Sequence, residues 1–324
     1  MARILPIFVP HEGCPHDCVF CNQRRIAAPV SPEPEEIRER VCAAYRAGLA
    51  TEVAFYGGSF TAIPVERQEA FLQAVYDTGV SIRLSTRPDC IDKSVIARLK
   101  RYRVETVELG AQSMDDEVLR RARRGHTADD VRRAACLLRE AGFTLILQAM
   151  AGLPGDEGTW QYTAQELAAL RPDGVRIYPV VVVRDTALYE MWQRGEYHAL
   201  TVSEGADAAA DMLEVFLAHG IPVIRIGLNP TEELTGGAAA AGAYHPALGE
   251  MTRSRLFFRN ILRDLKETSL SGKRLIIRVP KGRVSQAAGV SKEMIHRLEA
   301  MGAAGVRILE DESLDGYAVR TLLE

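Results

Sequence analysis

Cys14-Pro15-His16-Asp17-Cys18-Val19-Phe20-Cys21 brings three cysteines together in the spacing C-x₃-C-x₂-C. Thiolates this close can hold three irons of a cubane 4Fe-4S cluster, because such clusters are ligated by closely spaced cysteine sulfurs. No fourth cysteine stands nearby, so one iron would stay open to an exogenous ligand. A structural zinc site wants four protein ligands, and His11 or His16 would then have to complete the set.

Outward from this run, short apolar stretches alternate with helical periodicity. Strands are expected at Ile4–Val9, Glu52–Tyr56, Ser81–Ser85, Thr106–Leu109, Leu145–Ala149 and Val175–Tyr178. Helices are expected at Pro64–Asp77, Lys93–Tyr102, Ala128–Ala141 and Thr159–Leu170. Gly142, directly after Glu140-Ala141, has the position of a helix C-cap ahead of the fifth strand. Six βα repeats imply a parallel sheet covered by helices. Six units do not complete an eight-stranded barrel, so the expected fold is α/β, a partial (β/α)6 TIM-like barrel. Its chemistry should sit at the C-terminal ends of the strands.

The distinctive residues gather at those ends. The cysteine loop follows the first strand. The second runs into Tyr56-Gly57-Gly58-Ser59-Phe60-Thr61, where the glycines make either a tight turn or a backbone that a ligand approaches closely. On the latter reading, a branched side chain at Gly58 should weaken ligand binding and leave metal loading intact. The third strand ends in Ser85-Thr86-Arg87-Pro88-Asp89, with the hydroxyls and Arg87 turned to the site. The fourth gives Glu108-Leu109-Gly110-Ala111-Gln112-Ser113, followed by Arg124-Gly125-His126-Thr127. Glu108 and Gln112 are polar where a core strand would be apolar, and they suit the hydroxyls and carboxylate of a ligand; Arg124 adds a charge-assisted contact. The fifth and sixth strands give Gln148-Ala149-Met150-Ala151-Gly152-Leu153-Pro154-Gly155 and Arg176-Ile177-Tyr178-Pro179.

Composition suits an intracellular enzyme. The 324 residues, 47% hydrophobic and 26% charged, allow one large domain, or a large domain with a small one. A formal net charge of −3 gives no general affinity for nucleic acid. Cys42, Cys90 and Cys136 have no cysteine close in sequence and are expected as small buried side chains. The N-terminal apolar run is too short for a signal peptide, and no later run nears the length of a membrane span. A cytoplasmic location is therefore expected.

The cysteine run, with an aromatic just before its last cysteine, resembles the cluster motif of radical S-adenosylmethionine (SAM) enzymes. Together with the Gly-Gly, T-R-P-D and E-L-G-x-Q-S segments, Arg225–Glu233 and Gly242–Pro246, it is similar to one branch of them. That branch is related to the catalytic subunit of the eukaryotic Elongator complex and includes bacterial Elongator-like proteins; coproporphyrinogen-oxidase-like enzymes are more distant. The resemblance spans about the first 250 residues. It implies one 4Fe-4S cluster on Cys14, Cys18 and Cys21, with SAM chelating the open iron and being cleaved to a 5′-deoxyadenosyl radical. By position it implies Phe20 on the adenine side and Gly57, Gly58 and Ser59 at the methionyl end. Ser85, Gln112, Arg124 and Gln148 would contact the rest of SAM; Gln148 replaces an acid found in some relatives. An electron donor such as flavodoxin or ferredoxin is implied too. The substrate implied is an RNA, tRNA foremost, and a small molecule is the alternative. A regulatory metal-binding protein is a third reading, which the SAM-side motifs disfavour. The Elongator subunit carries an acetyltransferase domain, for which the 74 residues after Glu250 are too few, so only the radical half of its reaction is carried over.

Two domains are expected, residues 1–250 and a small basic α+β module at 251–324. From Thr252 to Arg283, ten Lys and Arg stand against Asp264 and Glu267, a net +8. Basic clustering is the footprint of phosphate binding, and a solvated face is the plainer alternative. Lys273, Arg274, Lys281 and Arg283 are the expected phosphate contacts. The β-α-turn-α-β order that follows loosely resembles a KH RNA-binding module, whose GXXG loop clamps the backbone. Gly289 matches its first glycine, and Lys292 replaces the second.

Overall fold

In a computed structural model of the chain, residues 3–10, 12–22, 30–266 and 268–324 are described. His11 and Glu267 lie outside them. The elements β1 (Ile4–Phe8), α1 (Pro34–Arg46), β2 (Glu52–Tyr56), α2 (Val65–Tyr76), β3 (Ser81–Thr86) and α3 (Lys93–Arg101) come first. They are followed by β4 (Val104–Gln112), α4 (Asp116–Arg121), α5 (Ala128–Glu140), β5 (Thr144–Ala151), α6 (Trp160–Ala169) and β6 (Gly174–Pro179). All six expected strands form, paired in parallel in sequence order.

The chain continues through β7 (Val181–Val183), α7 (Ala187–Gln193), α8 (Val202–Ala218), β8 (Val223–Ile226), β9 (Ala239–Gly242) and α9 (Leu248–Leu265). β8 adds in parallel to β6, so the open barrel has seven strands rather than six. This strand is hard to read locally, being four residues long with Ile224 exposed. The two short strands β7 and β9 form an antiparallel ribbon beside it.

Local chemistry sets the boundaries. Asp92 caps α3 by accepting from the Val95 amide at 2.9 Å, and Thr127 with Asp130 closes a capping box on α5. Gly142, at φ +80°, takes the left-handed position after α5, as expected. The core lies between the sheet and its helices, with Phe55, Phe60 and Phe71 fully buried. The buried-cysteine expectation needs correction. Cys42 and Cys90 are half-buried, while Cys136 is exposed on a solvent-facing turn of α5 and donates to Glu140 at 3.2 Å. Among the described residues no helix is long and apolar enough to cross a membrane.

The C-terminal part comprises β10 (Arg274–Val279), α10 (Val284–Ala288), α11 (Glu293–Ala300), β11 (Gly305–Glu310) and β12 (Arg320–Leu323). The expected β-α-turn-α-β order is present. β10 pairs β11 in parallel and β12 antiparallel. A division at residue 250 would fall inside α9, whose Leu256 packs in the barrel core and whose Phe257, Ile261 and Leu265 pack in the C-terminal one.

The basic run divides in the same way. On α9, Arg255 pairs with Asp207 at 3.0 Å, Arg259 with Asp211 at 2.7 Å, and Arg263 with Glu214. These arginines dock α9 on α8, because residues four apart share a helix face. Lys281 pairs with Glu312 at 2.8 Å, and Arg283 donates to Gln286 at 2.7 Å. The α10–α11 turn, with Gly289, Ser291 and Lys292 at positive φ, borders a cleft shared with His245 and Met251 of the barrel part.

Candidate functional site

The cysteine loop is fixed by its neighbours on both flanks. On one side the Ser59 amide donates to the Glu12 carbonyl at 2.9 Å. Arg67 of α2 holds the Glu12 carboxylate with two hydrogen bonds, 2.9 and 3.1 Å long. Burial works to raise the pKa of Glu12, but the bonds from Arg67 and Ser31 outweigh it and keep the carboxyl below its usual range. On the other side Val19, 1% exposed, donates to the Ala122 carbonyl at 3.2 Å and accepts from the Leu188 amide at 2.7 Å. The loop is thus strapped to the ends of β2, α4 and α7.

The glycines serve this packing. Gly13 has φ +70°, and a Cβ there would lie 2.3 Å from the Ser59 carbonyl oxygen. A Cβ on Gly58 would lie 2.4 Å from the Glu12 carbonyl oxygen and 2.5 Å from that of Val9. The reason given for Gly58 from the sequence is therefore incomplete: its missing side chain is first required by the cysteine loop itself.

Cys14, Cys18 and Cys21 border one cleft of about 130 Å³. Phe20, Gly57, Gly58, Ser59, Ser85, Gln112, Arg124 and Gln148, each singled out from the sequence, border the same cleft. Cys14 is exposed and 3.7 Å from the Ser59 hydroxyl; Cys18 is buried; Cys21 is half-buried. Among the described residues no three His, Cys, Asp or Glu side chains are close enough to share a single metal ion. The three sulfurs are instead distributed around the cleft. The set of soft sulfur donors fits iron in a cluster, whose irons each take a different thiolate.

Arg124 reaches the cleft because of how α4 ends. Arg123 takes φ +53° and the Arg124 amide donates back to Leu119 at 2.9 Å, a Schellman-type stop. The Arg124 guanidinium then donates to the Cys18 sulfur at 3.2 Å and to the Gly110 carbonyl at 2.7 Å. A Cβ at Gly110 would meet the tips of the Gln112 and Arg124 side chains and shift them. Gln112 stands in the left-handed region at φ +68°, beside a register shift between β4 and β5, and accepts from Gln148 at 3.1 Å. Strained backbone of this kind gathers at functional sites.

His16, Asp17, Thr86, Arg87 and Gly110 also border the cleft. The ring of His16 packs on Gly125, where any Cβ would collide with it; that glycine was the available signal. Arg87 is tied to Asp89 at 3.0 Å and to the Arg124 carbonyl, so it supports the rim. Cys90, beneath this rim, is pushed up to about 11 by burial and by Asp89, and so remains a thiol.

Glu108 does not have the expected role. Its carboxylate accepts from Tyr56 at 2.8 Å, Arg83 at 2.9 Å and Arg176 at 2.8 Å, and Arg83 also holds Glu52 at 3.0 Å. Glu108 is also not among the residues that border the cleft. The network lies on the strand faces that continue into the cleft, because Gly110, Gln148 and Arg176 are neighbours in register across β4, β5 and β6.

Residues 8–165 match the radical SAM superfamily and residues 172–257 match a radical SAM C-terminal domain. An uncharacterised protein of Methanocaldococcus jannaschii is 31% identical over 62% of this chain and 68% of its own length. Human Elongator complex protein 3 is 29% identical over 62% of this chain, and the tRNA uridine(34) acetyltransferase of Dehalococcoides mccartyi 30% over 57%. The chain spans only 40% and 50% of those two proteins. The structure of Methanocaldococcus infernus Elp3 superposes with a TM-score of 0.60 at 21% identity, over 79% of this chain and 63% of the other. The chain is an enzyme of the radical SAM superfamily, and within it is similar to Elongator-type proteins.

Proposed function

We propose that Cys14, Cys18 and Cys21 hold one 4Fe-4S cluster and that SAM binds in the adjoining cleft, for modification of an RNA, foremost a tRNA. The observation that supports this most is the convergence of the three cysteines with Gly57–Ser59, Ser85, Gln112, Arg124 and Gln148 on one cleft. When bound, the cluster supplies the electron that cleaves SAM to methionine and a 5′-deoxyadenosyl radical. The chain's own groups bind and orient. Gly57 and Gly58 present backbone to the methionyl end, and Ser85 and the Gln112–Gln148 pair offer hydrogen bonds to the ligand's hydroxyls. Arg124 supplies a cation to its carboxylate. Phe20 provides an apolar wall for the adenine. An electron donor such as flavodoxin or ferredoxin completes the system.

An RNA substrate is supported by the relatives named for tRNA uridine(34). The test is anaerobic reconstitution followed by mass spectrometry of tRNA nucleosides from cells with and without the protein. We expect about four irons per chain, 5′-deoxyadenosine from SAM, and one nucleoside lost in the deletion strain. Cys18→Ala should abolish the first two. Retention of cluster and SAM cleavage in that variant would remove the ligand assignment, and an unchanged nucleoside profile would remove the RNA substrate.

A further inference from the structure

β10 lies between β11 and β12, and alternation along it separates two faces. Leu275, Ile277 and Val279 point to the C-terminal core. Arg274, Ile276 and Arg278 therefore point the other way. In register, Ile276 lies between Arg307 of β11 and Leu322 of β12, and Arg278 lies between Leu309 and Arg320. One sheet face thus carries four exposed arginines, drawn from three strands, among three aliphatic residues. Leu322 is 56% exposed, so no helix of the described chain covers this side.

These cations differ from those of α9. Among the described residues no ion pair holds Arg274, Arg278 or Arg307, and Arg320 has one, to Asp311 at 3.8 Å. Glu324 stands opposite Arg274 in the ladder. Arg278 stands directly opposite Arg320, and like charges so placed destabilise a sheet. The Asp311 carboxylate, itself held low by bonds from Ser313 and in part by Arg320 and Arg278, offsets one of these charges; an anion lying across the face would offset the others. Guanidinium groups match phosphate bidentately, and the absence of aromatic side chains from the face leaves nothing for bases to stack on.

We propose that this sheet face grips the phosphodiester backbone of RNA, without base readout, as an anchor apart from the cysteine-lined cleft. The proposal rests on the RNA reading of that cleft. It replaces Lys281 and Arg283, which lie beyond the end of β10 and off this sheet face, by Arg307 and Arg320.

The experiment measures binding of bulk tRNA to the full-length protein at several salt concentrations. Arg274→Gln, Arg278→Gln, Arg307→Gln and Arg320→Gln together should weaken binding more than tenfold and reduce the slope of log affinity against log salt by about three. The double variant Lys281→Gln with Arg283→Gln should change affinity less than twofold. If the quadruple variant does not fold, the pairs Arg274→Gln with Arg278→Gln and Arg307→Gln with Arg320→Gln should each give part of the loss. Equal affinity of wild type and these variants overturns the anchor, and the nucleoside profile of the deletion strain then shows separately whether the RNA reading stands. No binding of tRNA by the wild type, or arginine-dependent binding to phosphatidylserine vesicles in place of tRNA, also overturns it.

Discussion

The Arg124 guanidinium stands between two groups of the cleft, donating to the Cys18 sulfur at 3.2 Å and to the Gly110 carbonyl at 2.7 Å. A hydrogen bond to a ligating sulfur is one of the levers that set a cluster's reduction potential. Arg124→Gln should leave iron content near wild type, since the cysteines are intact. It should move the potential of the reconstituted cluster negative, by on the order of tens of millivolts, and weaken SAM binding. Redox titration followed by electron paramagnetic resonance reads the first effect. An unchanged potential would mean that the bond is not kept once iron is loaded.

Gly58→Val should cost both iron and SAM. The added Cβ meets two carbonyl oxygens of the cysteine loop, and forced packing of this kind destabilises by about 1–3 kcal/mol. Iron content and urea denaturation of the same preparation check it. Full iron loading with SAM binding alone impaired would restore the simpler view of Gly58 as a ligand-approach residue.

Glu108→Gln removes the charge that faces Arg83 and Arg176 while keeping the side-chain shape. Breaking a buried pair from one side costs about 3–5 kcal/mol. Tyr56→Phe loses one hydrogen bond to the same carboxylate, worth about 1 kcal/mol. Denaturation midpoints should rank the variants in that order; a Glu108→Gln cost below that of Tyr56→Phe would contradict the network.

His126 makes stability depend on pH. Burial first, then Arg124 and Arg87, push its pKa down to about 3. An imidazole lowered in the fold binds fewer protons than in the unfolded chain, so its contribution is complete above the unfolded value near 6.5 and is lost as pH falls toward 3. Between pH 6.5 and 5 this amounts to about 2 kcal/mol. His126→Gln should flatten that part of the profile, and the same slope in both proteins would sink the assignment.

The cleft was legible in the sequence because its residues follow successive strands of one parallel sheet. Chain order there equals spatial order, so the ends of β1 to β5 could be collected by reading forward. Glu108 was misassigned for the opposite reason: its partners Tyr56, Arg83 and Arg176 come from three other strands, and nothing local to it shows them. The basic tail was read as one run for the same reason. Counting charge along Thr252–Arg283 merged the helical spacing of Arg255, Arg259 and Arg263, which serves Asp207, Asp211 and Glu214, with the strand alternation of Arg274 and Arg278. Arg307 and Arg320 join the latter only through strand pairing.

Leu256 and Phe257 are consecutive residues of α9 that belong to different cores. Neither core can melt without stripping a wall from the other, and loss of α9 would leave the acids of α8 facing solvent unpaired. Heat should therefore carry both through a single transition, with calorimetric and van't Hoff enthalpies in agreement. Cut from α9, the C-terminal module should therefore not hold its core, so the two parts fold as one unit.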